Sequence, residues 1–296
     1  MQNNIREPHC PLCGQSDQVS FAFQRGGNSI HSCKRCDLEF LFPQPADDTL
    51  SSIYSSSYFL GSKDADSVQR QQALKRATAK LYMDTIAPFV RADKPRLLEI
   101  GCGSGDFLIE AQSRGFKVEG LEYSEHAASG ANTRLGYRVV RVGSLEKECL
   151  PASEYDVIGA FDVIEHLRNP AESLSYLSAA LKPSGLLVIV TPSLNSWSRR
   201  LLGRHWMEYK TEHLTYFSQK SLTRLFRATG FDTIEFYPNY KILSLDYVSS
   251  HFERFPVPVI SPMVQLFRAI LPNKLVHRPT KIVASGIIAI ARRAAK

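Results

Sequence analysis

The sequence predicts an α/β protein in which a doubly wound, mainly parallel sheet follows a small N-terminal unit that contains two pairs of cysteines. From residue 96 onward, short apolar segments alternate with segments of helical apolar spacing, an order typical of a parallel sheet with helices on both faces. The first apolar segment runs into three closely spaced glycines, Gly101, Gly103 and Gly105. Two Cys-x2-Cys pairs stand before the sheet. The chain has 296 residues, 44% of them hydrophobic, which excludes a disordered protein.

The N-terminal unit has the cysteine spacing of a zinc site. Short strands at 19–23 and 29–32 would join its two cysteine pairs. Four thiolates close a tetrahedral site and leave no position for water, so the pattern indicates structural rather than catalytic zinc. We assign residues 1–45 to a zinc ribbon, which could be a folding staple, a substrate platform or a nucleic-acid-binding unit. The predicted ligands are Cys10, Cys13, Cys33 and Cys36.

Residues 46–90 are predicted to connect the ribbon to the sheet. The serine-rich stretch 46–66 contains Tyr54 and Tyr58 and is either a connector or a lid. Residues 67–90 have apolar positions at helical spacing and lead into the glycine segment.

The sheet domain is expected to occupy residues 91–296. Its predicted strands are 96–100, 117–121, 137–141, 155–161, 185–191, 232–237 and 286–291, and its predicted helices are 106–114, 124–135, 170–182 and 218–229. Segment 239–285 is expected to be an insertion between the last two strands. Within it, residues 262–271 predict an amphipathic helix that packs on the core, covers a substrate or touches a membrane surface.

The glycine segment predicts a ligand-binding turn. Glycine permits a tight bend whose backbone approaches a ligand closely, and the following helix turns free N–H groups to the same place. Glu122 ends the next strand, where a carboxylate can accept both hydroxyls of a ribose. The dinucleotide pattern Gly-x-Gly-x-x-Gly would need a glycine where this chain has Asp106. A neutral or cationic nucleoside ligand is therefore favoured over a pyrophosphate.

These residues resemble motif I of the class I S-adenosylmethionine (SAM) methyltransferases, Glu/Asp-x-Gly-x-Gly-x-Gly. The stretch from Asp162 to Leu167 resembles the Asp-x-(Leu/Ile/Val)-Glu-His-Leu element of methyltransferases that include the ubiquinone O-methyltransferases. The resemblance covers about residues 97–237 and implies a Rossmann-like methyltransferase sheet of seven strands, the last one antiparallel, with SAM as cofactor. The implied cofactor-binding residues are Glu99, Gly101, Gly103, Gly105, Glu122, Ser144, Leu145 and Asp162. Many relatives have an acidic residue at the position of Ser144, where it binds the adenine amino group.

A third element, Glu-His-Leu-x-Tyr-Phe-Ser from Glu212 to Ser218, resembles zinc-ribbon methyltransferases of surface-polysaccharide and deoxysugar pathways. The resemblance implies His213 as the catalytic base, because histidine can take a proton near neutral pH. Glu212 would orient His213 or hold a substrate hydroxyl. His166 is the second candidate base, and each histidine could instead be purely structural.

The formal net charge is +7, and the surplus of Lys and Arg lies in the last third of the chain. Such a region can meet nucleic acid, anionic lipid or a phosphate-bearing substrate, or can simply be solvated. Arg199, Arg200 and Arg204 could clamp a diphosphate or form a solvated helix face. The first residues show no signal region and no apolar run reaches membrane-spanning length, so we expect a cytoplasmic location.

We expect methyl transfer to a small acceptor, foremost a nucleotide-linked or glycan sugar in cell-envelope polysaccharide biosynthesis. The apolar segment 239–285 suggests an alternative, an O-methyltransferase acting on a quinone-like or lipid acceptor, and leaves a peripheral membrane contact open. The ribbon and the basic region suggest another, a nucleic-acid-binding or RNA-modifying protein. In the preferred interpretation nucleic acid is not a partner.

Overall fold

The computed structural model describes residues 7–53, 65–146 and 148–295. Tyr54 and Tyr58 of the predicted connector or lid lie outside the described residues. The strands are β1 (Val19–Arg25), β2 (Asn28–Cys33), β3 (Leu38–Leu41), β4 (Arg96–Ile100), β5 (Lys117–Glu122), β6 (Val140–Val142), β7 (Tyr155–Phe161), β8 (Leu181–Pro192), β9 (Thr215–Phe217), β10 (Phe231–Leu243) and β11 (Thr280–Arg293).

The helices are α1 (Asp47–Ile53), α2 (Ala65–Ile86), α3 (Asp106–Ser113), α4 (Glu125–Leu135), α5 (Pro170–Ala180), α6 (Trp197–Leu202), α7 (Gln219–Ala228), α8 (Leu245–Arg254), α9 (Ile260–Ile270) and α10 (Asn273–Val276). One-turn 3-10 helices occur at Ala87–Phe89, Ile164–His166 and Gly203–His205.

Seven strands form the large sheet in the order β10-β11-β8-β7-β4-β5-β6. The five strands β8, β7, β4, β5 and β6 are parallel. The last strand of the chain, β11, lies between β8 and β10 and is antiparallel to both. The predicted fold class, including the antiparallel last strand, is therefore confirmed.

The order of the strands creates a crevice between β4 and β7. The chain proceeds from β4 outward to β6 and then returns to lay β7 on the other side of β4. In doubly wound sheets, ligands bind outside the carboxyl ends of the strands where the order reverses. Here those ends are Gly101 after β4 and Asp162 after β7.

Both faces of the sheet are covered, since neighbouring residues of a strand point to opposite sides. Leu97 belongs to a buried cluster with Met83 and Leu108. Leu98 belongs to a second cluster on the other face, with Leu174 and Leu222. Helices therefore pack on both sides, as the near-continuous apolar strands predicted.

Several predicted bounds were wrong. The third strand of the sheet covers Val140–Val142 instead of 137–141, and β8 begins at Leu181, where we had expected α5 to continue to residue 182. The last two strands are much longer than predicted, because their pairing continues to Leu243 and Thr280. Only residues 244–279 therefore separate them. Pro238 concealed this extension in the sequence; it lies at an irregularity of the ladder, where proline is tolerated.

The amphipathic helix predicted at 262–271 is confirmed as α9, but its apolar face does not pack on the core. Leu266 and Ile270 are 60% and 65% exposed, and Met263 and Phe267 are about half exposed. No helix in the described part of the chain is long and apolar enough to cross a membrane.

The cysteine unit shares its sheet with the rest of the protein. Strands β1, β2 and β3 form an antiparallel sheet whose fourth strand is β9, with Leu38 opposite Phe217. Phe217 is fully buried and belongs to the same cluster as Cys10 and Ile189. The apolar core is thus continuous from the cysteines to the large sheet.

Because Phe217 lies at this junction, we expect Phe217→Ala to lower the free energy of unfolding by about 3–5 kcal/mol. The same substitution at Phe21, which is 59% exposed on β1, should change it by no more than about 0.5 kcal/mol. Urea unfolding followed by circular dichroism measures both. Equal losses for the two variants would contradict a shared core.

Candidate functional site

The turn after β4 has the backbone that only glycine adopts easily. Gly101, Gly103 and Gly105 have φ values of +66°, +51° and +74°. A Cβ atom on Gly101 would lie 2.6 Å from the Val163 side chain, and one on Gly105 would lie 3.1 Å from Ala131. Among the described residues, no atom lies within 4 Å of such a Cβ at Gly103. Packing therefore excludes a side chain at Gly101 and makes one at Gly105 tight, whereas the described part of the chain leaves the side of Gly103 open.

Glu122 at the end of β5 fixes this turn. Its Oε2 accepts a hydrogen bond of 2.8 Å from the Gly103 N–H, and its Oε1 accepts one of 2.9 Å from the Ser124 N–H. Ser124 is the N-cap of α4. Each carboxylate oxygen can accept a second hydrogen bond, so Glu122 retains capacity for ribose hydroxyls.

The turn has an acidic surrounding. Glu99, Asp106 and Glu122 are buried close together, and burial, followed by the charges of Asp106 and Glu122, raises the pKa of Glu99 well above its ordinary value. Arg134 pairs with Asp106 at 2.6 Å. Among the described residues, Oε2 of Glu99 has no hydrogen-bond partner. Three acidic side chains beside the turn, one of them with an unpaired oxygen among the described residues, fit a cationic ligand such as SAM, which carries a sulfonium and an ammonium group.

The predicted adenine-side residues lie beside Glu122. The Gly143 N–H donates to the Glu122 carbonyl at 2.9 Å, which places half-buried Ser144 and buried Leu145 next to the turn. The sequence analysis missed Glu148. Its carboxylate lies against Gly143, where a Cβ would be only 2.6 Å from Oε1. Glu148 thus brings an acidic group close to Ser144, the position at which many relatives have one.

Asp162 follows β7 with φ +54° and pairs with Lys241 of β10 at 2.8 Å. Lys241 was also missed, because the segment holding it was expected to be an insertion. The long β10–β11 hairpin brings it to the site.

Glu165, His166 and His213 form a buried polar cluster next to Asp162. The first two lie on the 3-10 turn after β7, and His213 comes two residues before β9. The His166 and His213 rings are 4.8 Å apart and nearly perpendicular. Oε2 of Glu165 accepts a hydrogen bond of 3.0 Å from Thr191 at the end of β8. The structure thus brings together both histidines that the sequence singled out.

Glu212 contributes to this cluster through its backbone. Nδ1 of His166 lies 2.9 Å from the Glu212 carbonyl oxygen. A carbonyl can only accept, so Nδ1 carries the hydrogen and Nε2 is the acceptor nitrogen when the ring is neutral. The Glu212 carbonyl thus orients His166. That the Glu212 side chain orients His213 or holds a substrate hydroxyl stays a prediction.

Burial sets the protonation of the cluster. It lowers the pKa of His166 to about 4 and the pKa of His213 well below its ordinary value. It raises the pKa of Glu165 to about 8. Both rings are therefore neutral at pH 7, the form that can accept a proton or coordinate a cation.

Of the three arginines that could clamp a diphosphate or form a solvated helix face, Arg199 has a partner in the ribbon. Arg199 pairs with Glu39 of β3 at 3.0 Å and is largely enclosed. This ion pair joins the ribbon to α6, so the charge of Arg199 is paired within the protein.

The four ribbon cysteines lie together, with all sulfur atoms within 4.8 Å of one another. Each pair sits on an equivalent turn: the Gly14 N–H donates to the Cys10 carbonyl at 2.8 Å, and the Asp37 N–H donates to the Cys33 carbonyl at 2.9 Å. Gly14 and Asp37 both have positive φ. This arrangement of four thiols fits tetrahedral zinc.

A family model described as a methyltransferase domain matches residues 69–235, more than half of the chain. The ubiquinone biosynthesis O-methyltransferase of Leptothrix cholodnii is 26% identical over 157 residues, which are 48% of this chain and 66% of that protein. The protein of the same name from Caulobacter sp. strain K31 is 36% identical over 104 residues, 32% of this chain and 40% of that protein. These matches span less than two thirds of the relatives' length.

Two solved structures share the fold. The YcgJ protein of Bacillus subtilis has a TM-score of 0.52 at 15% identity, covering 74% of this chain and 99% of that one. A SAM-dependent methyltransferase of Archaeoglobus fulgidus has a TM-score of 0.51 at 18% identity, covering 78% of this chain and 100% of that one. At these identities the likeness concerns the fold alone.

The open side of Gly103 leads to a prediction about cofactor binding. We expect Gly103→Ala to weaken binding of S-adenosylhomocysteine about tenfold or more, because a methyl group enters the open space and the positive φ becomes strained. Gly136→Ala is the matched control, since Gly136 has φ +85° and open space but lies at the end of α4. Isothermal calorimetry should show unchanged affinity for the control. Equal affinity losses in both variants would contradict the assignment.

Proposed function

The chain belongs to the class I SAM-dependent methyltransferases, and on this premise we propose that it transfers the methyl group to a hydroxyl of a small acceptor. The observation that carries the proposal is the contact between the cofactor turn and the polar cluster. Val163, which packs against Gly101, lies between Asp162 and Glu165 in the chain. The segment that carries polar side chains able to bind a hydroxyl therefore contacts the turn that we assign to the cofactor, which supports the proposal.

On the cofactor side, we assign Glu122 to the ribose, the loop of Ser144 and Leu145 to the adenine, and Glu99 to the cationic end. The three glycines keep the backbone close. SAM supplies a methyl group that is already activated by attachment to a positively charged sulfur. The protein has to align the acceptor oxygen, exclude water and receive a proton.

On the acceptor side, we assign His213, His166 and Glu212, whereas Asp162 stays assigned to the cofactor. A neutral imidazole can take the proton of the acceptor hydroxyl, or it can position the acceptor oxygen through an intervening group. Lys241, held by Asp162 at 2.8 Å, could add a positive charge for an acidic acceptor. The chain thus offers a buried base-like pair and an adjacent ion pair at one end of the sheet.

Two acceptor classes share this chemistry. The names of the Leptothrix and Caulobacter relatives favour a ring hydroxyl of a quinone-like compound. The Glu212–His213 element supports a sugar hydroxyl as the acceptor. Arg199 is paired with Glu39, so it is less available to bind the diphosphate of a nucleotide sugar. In both cases the bond that forms is oxygen to methyl.

We further infer that Cys10, Cys13, Cys33 and Cys36 hold a structural zinc. Arg224 of α7 reaches Cys36 Sγ at 3.6 Å and donates to the Arg35 carbonyl at 2.7 Å. Ser218 donates to the Asp37 carbonyl at 2.8 Å. The zinc would therefore stabilise the contacts that place residues 213–218.

The acceptor class can be tested with purified protein, SAM and three acceptors: a dihydroxybenzoate, a nucleotide sugar and RNA. We expect an O-methylated small molecule, because the cluster is enclosed and offers hydroxyl-binding groups. Mass spectrometry identifies the product and the methylated atom. Methylation of RNA, or of carbon in the sugar, would contradict the proposal, provided that S-adenosylhomocysteine binds.

The zinc proposal predicts that Cys36→Ser removes about one zinc per chain, since a thiolate ligand is lost. Hydrogen exchange should also become faster at residues 215–217, which pair with β3. Cys149→Ser is the control, because Cys149 is an exposed cysteine outside the ribbon. Elemental analysis and exchange mass spectrometry measure the two effects. Unchanged metal content in Cys36→Ser would refute the site.

A further inference from the structure

We propose that Arg25, Arg204 and His205 form a subsite that binds a diphosphate group of the methyl acceptor. The inference rests on the proposed function, because it concerns the acceptor of that reaction. Arg25 is the last residue of β1, and the other two residues belong to the 3-10 turn Gly203–His205. Arg25 and His205 are half-buried and Arg204 is exposed, so a ligand can reach the subsite from solvent.

The hydrogen bonds of the subsite lack an acceptor. Nη1 of Arg25 donates to the Arg204 carbonyl at 3.3 Å and also lies 3.4 Å from Nδ1 of His205. On the other side of the ring, Nε of Arg204 donates to Nε2 of His205 at 3.4 Å. When Nε2 accepts, Nδ1 carries the ring hydrogen. That hydrogen points at Nη1 of Arg25, which can only donate, and an oxygen that accepts from both groups would resolve the contact.

The charge of the subsite is not neutralised either. Among the described residues, none of its three side chains forms an ion pair with a carboxylate. Burial lowers the pKa of Arg25, and the groups that oppose this shift are Tyr209 and Tyr216. Both hydroxyls are already used, since Tyr209 donates to Glu39 and Tyr216 donates to the Lys210 carbonyl. A partly buried cation without a counter-charge is costly, and an anionic ligand supplies that charge.

The subsite is joined to the polar cluster by the segment that separates them in the chain. Asn28, across the hairpin turn from the end of β1, donates from Nδ2 to Oγ1 of Thr211 at 3.0 Å. Trp206 directly follows the subsite and is fully buried. Tyr216 contributes to the electrostatic surroundings of the subsite, and its ring lies 6.3 Å from that of His213. A ligand held there by its diphosphate therefore lies against the segment that carries the candidate base.

The donor set favours phosphate. A guanidinium group is planar and matches the oxygens of a phosphate with two parallel hydrogen bonds. Two arginines that come from separate segments suit a diphosphate, which presents two phosphoryl groups. Of the acceptor classes considered above, a nucleotide-linked sugar carries such a group, whereas a simple quinone-like compound does not. The subsite thus favours the sugar.

Pyrophosphate is the probe, titrated into the full chain by calorimetry at fixed ionic strength and without unbound divalent metal. We expect one site in the wild type and affinity about tenfold or more weaker in Arg25→Gln and Arg204→Gln, since each loses charge-assisted hydrogen bonds. The matched control is Arg227→Gln, at an exposed arginine in the last turn of α7, which should bind as the wild type does. Glycerol 3-phosphate, which has the single phosphate of a lipid headgroup, should bind more weakly than pyrophosphate.

Calorimetry with S-adenosylhomocysteine reports separately whether each variant is folded. Should Arg25→Gln fail to fold, Arg204→Gln decides, because Arg204 is exposed. The subsite would be overturned by absence of pyrophosphate binding in the wild type, by an equal loss in Arg227→Gln, or by glycerol 3-phosphate binding as tightly as pyrophosphate.

The methylation assay links the subsite to the acceptor. For a nucleotide sugar we expect Arg204→Gln to raise KM about tenfold or more and to leave kcat unchanged. Methylation of the dihydroxybenzoate with the same KM in the wild type and Arg204→Gln would uphold the proposed function and overturn the assignment of the acceptor. Pyrophosphate binding without methylation of any acceptor would uphold the anion site and refute the proposed function instead.

Discussion

One residue, Leu214, joins the parts of this protein on which the site depends. Its N–H donates to the Glu165 carbonyl at 2.7 Å, and its carbonyl accepts from the Leu41 N–H at 3.0 Å. Leu214 is fully buried, so water does not compete for these bonds. The end of β3, the turn after β7 and His213 are therefore fixed relative to one another by backbone alone.

The cofactor end of the site rests on a different constraint, the left-handed turn after β4. A side chain at Gly101 would collide with Val163, and one at Gly105 would be tight against Ala131. Because Val163 belongs to the segment that carries Glu165 and His166, the close packing sets the distance between the glycine turn and the polar cluster. The contact of Val163 with Gly101 and the backbone hydrogen bonds of Leu214 together fix the position of the polar cluster.

Local patterns made much of this predictable. The glycine turn, Glu122 and the cysteine pairs are each defined by short spacings, and the alternation of elements gave the sheet class. Contacts between distant segments were not predictable: the pairing of β9 with β3, the approach of Lys241 along a strand that continues past Pro238, and the return of Glu148 to Gly143. The sequence left open what covers the apolar face of α9, since periodicity shows that a helix has one apolar face but not what lies against that face.

The strand shared between the two sheets also limits how such proteins can be recombined. In the sequence, residues 1–45 look like a separable unit. Their sheet is nevertheless completed by β9 (Thr215–Phe217), which is distant in the sequence. In a chimera that exchanges only residues 1–45 between relatives, β3 of one protein would have to pair with β9 of the other. The unit to exchange is discontinuous, and moving both pieces would require three crossovers rather than one.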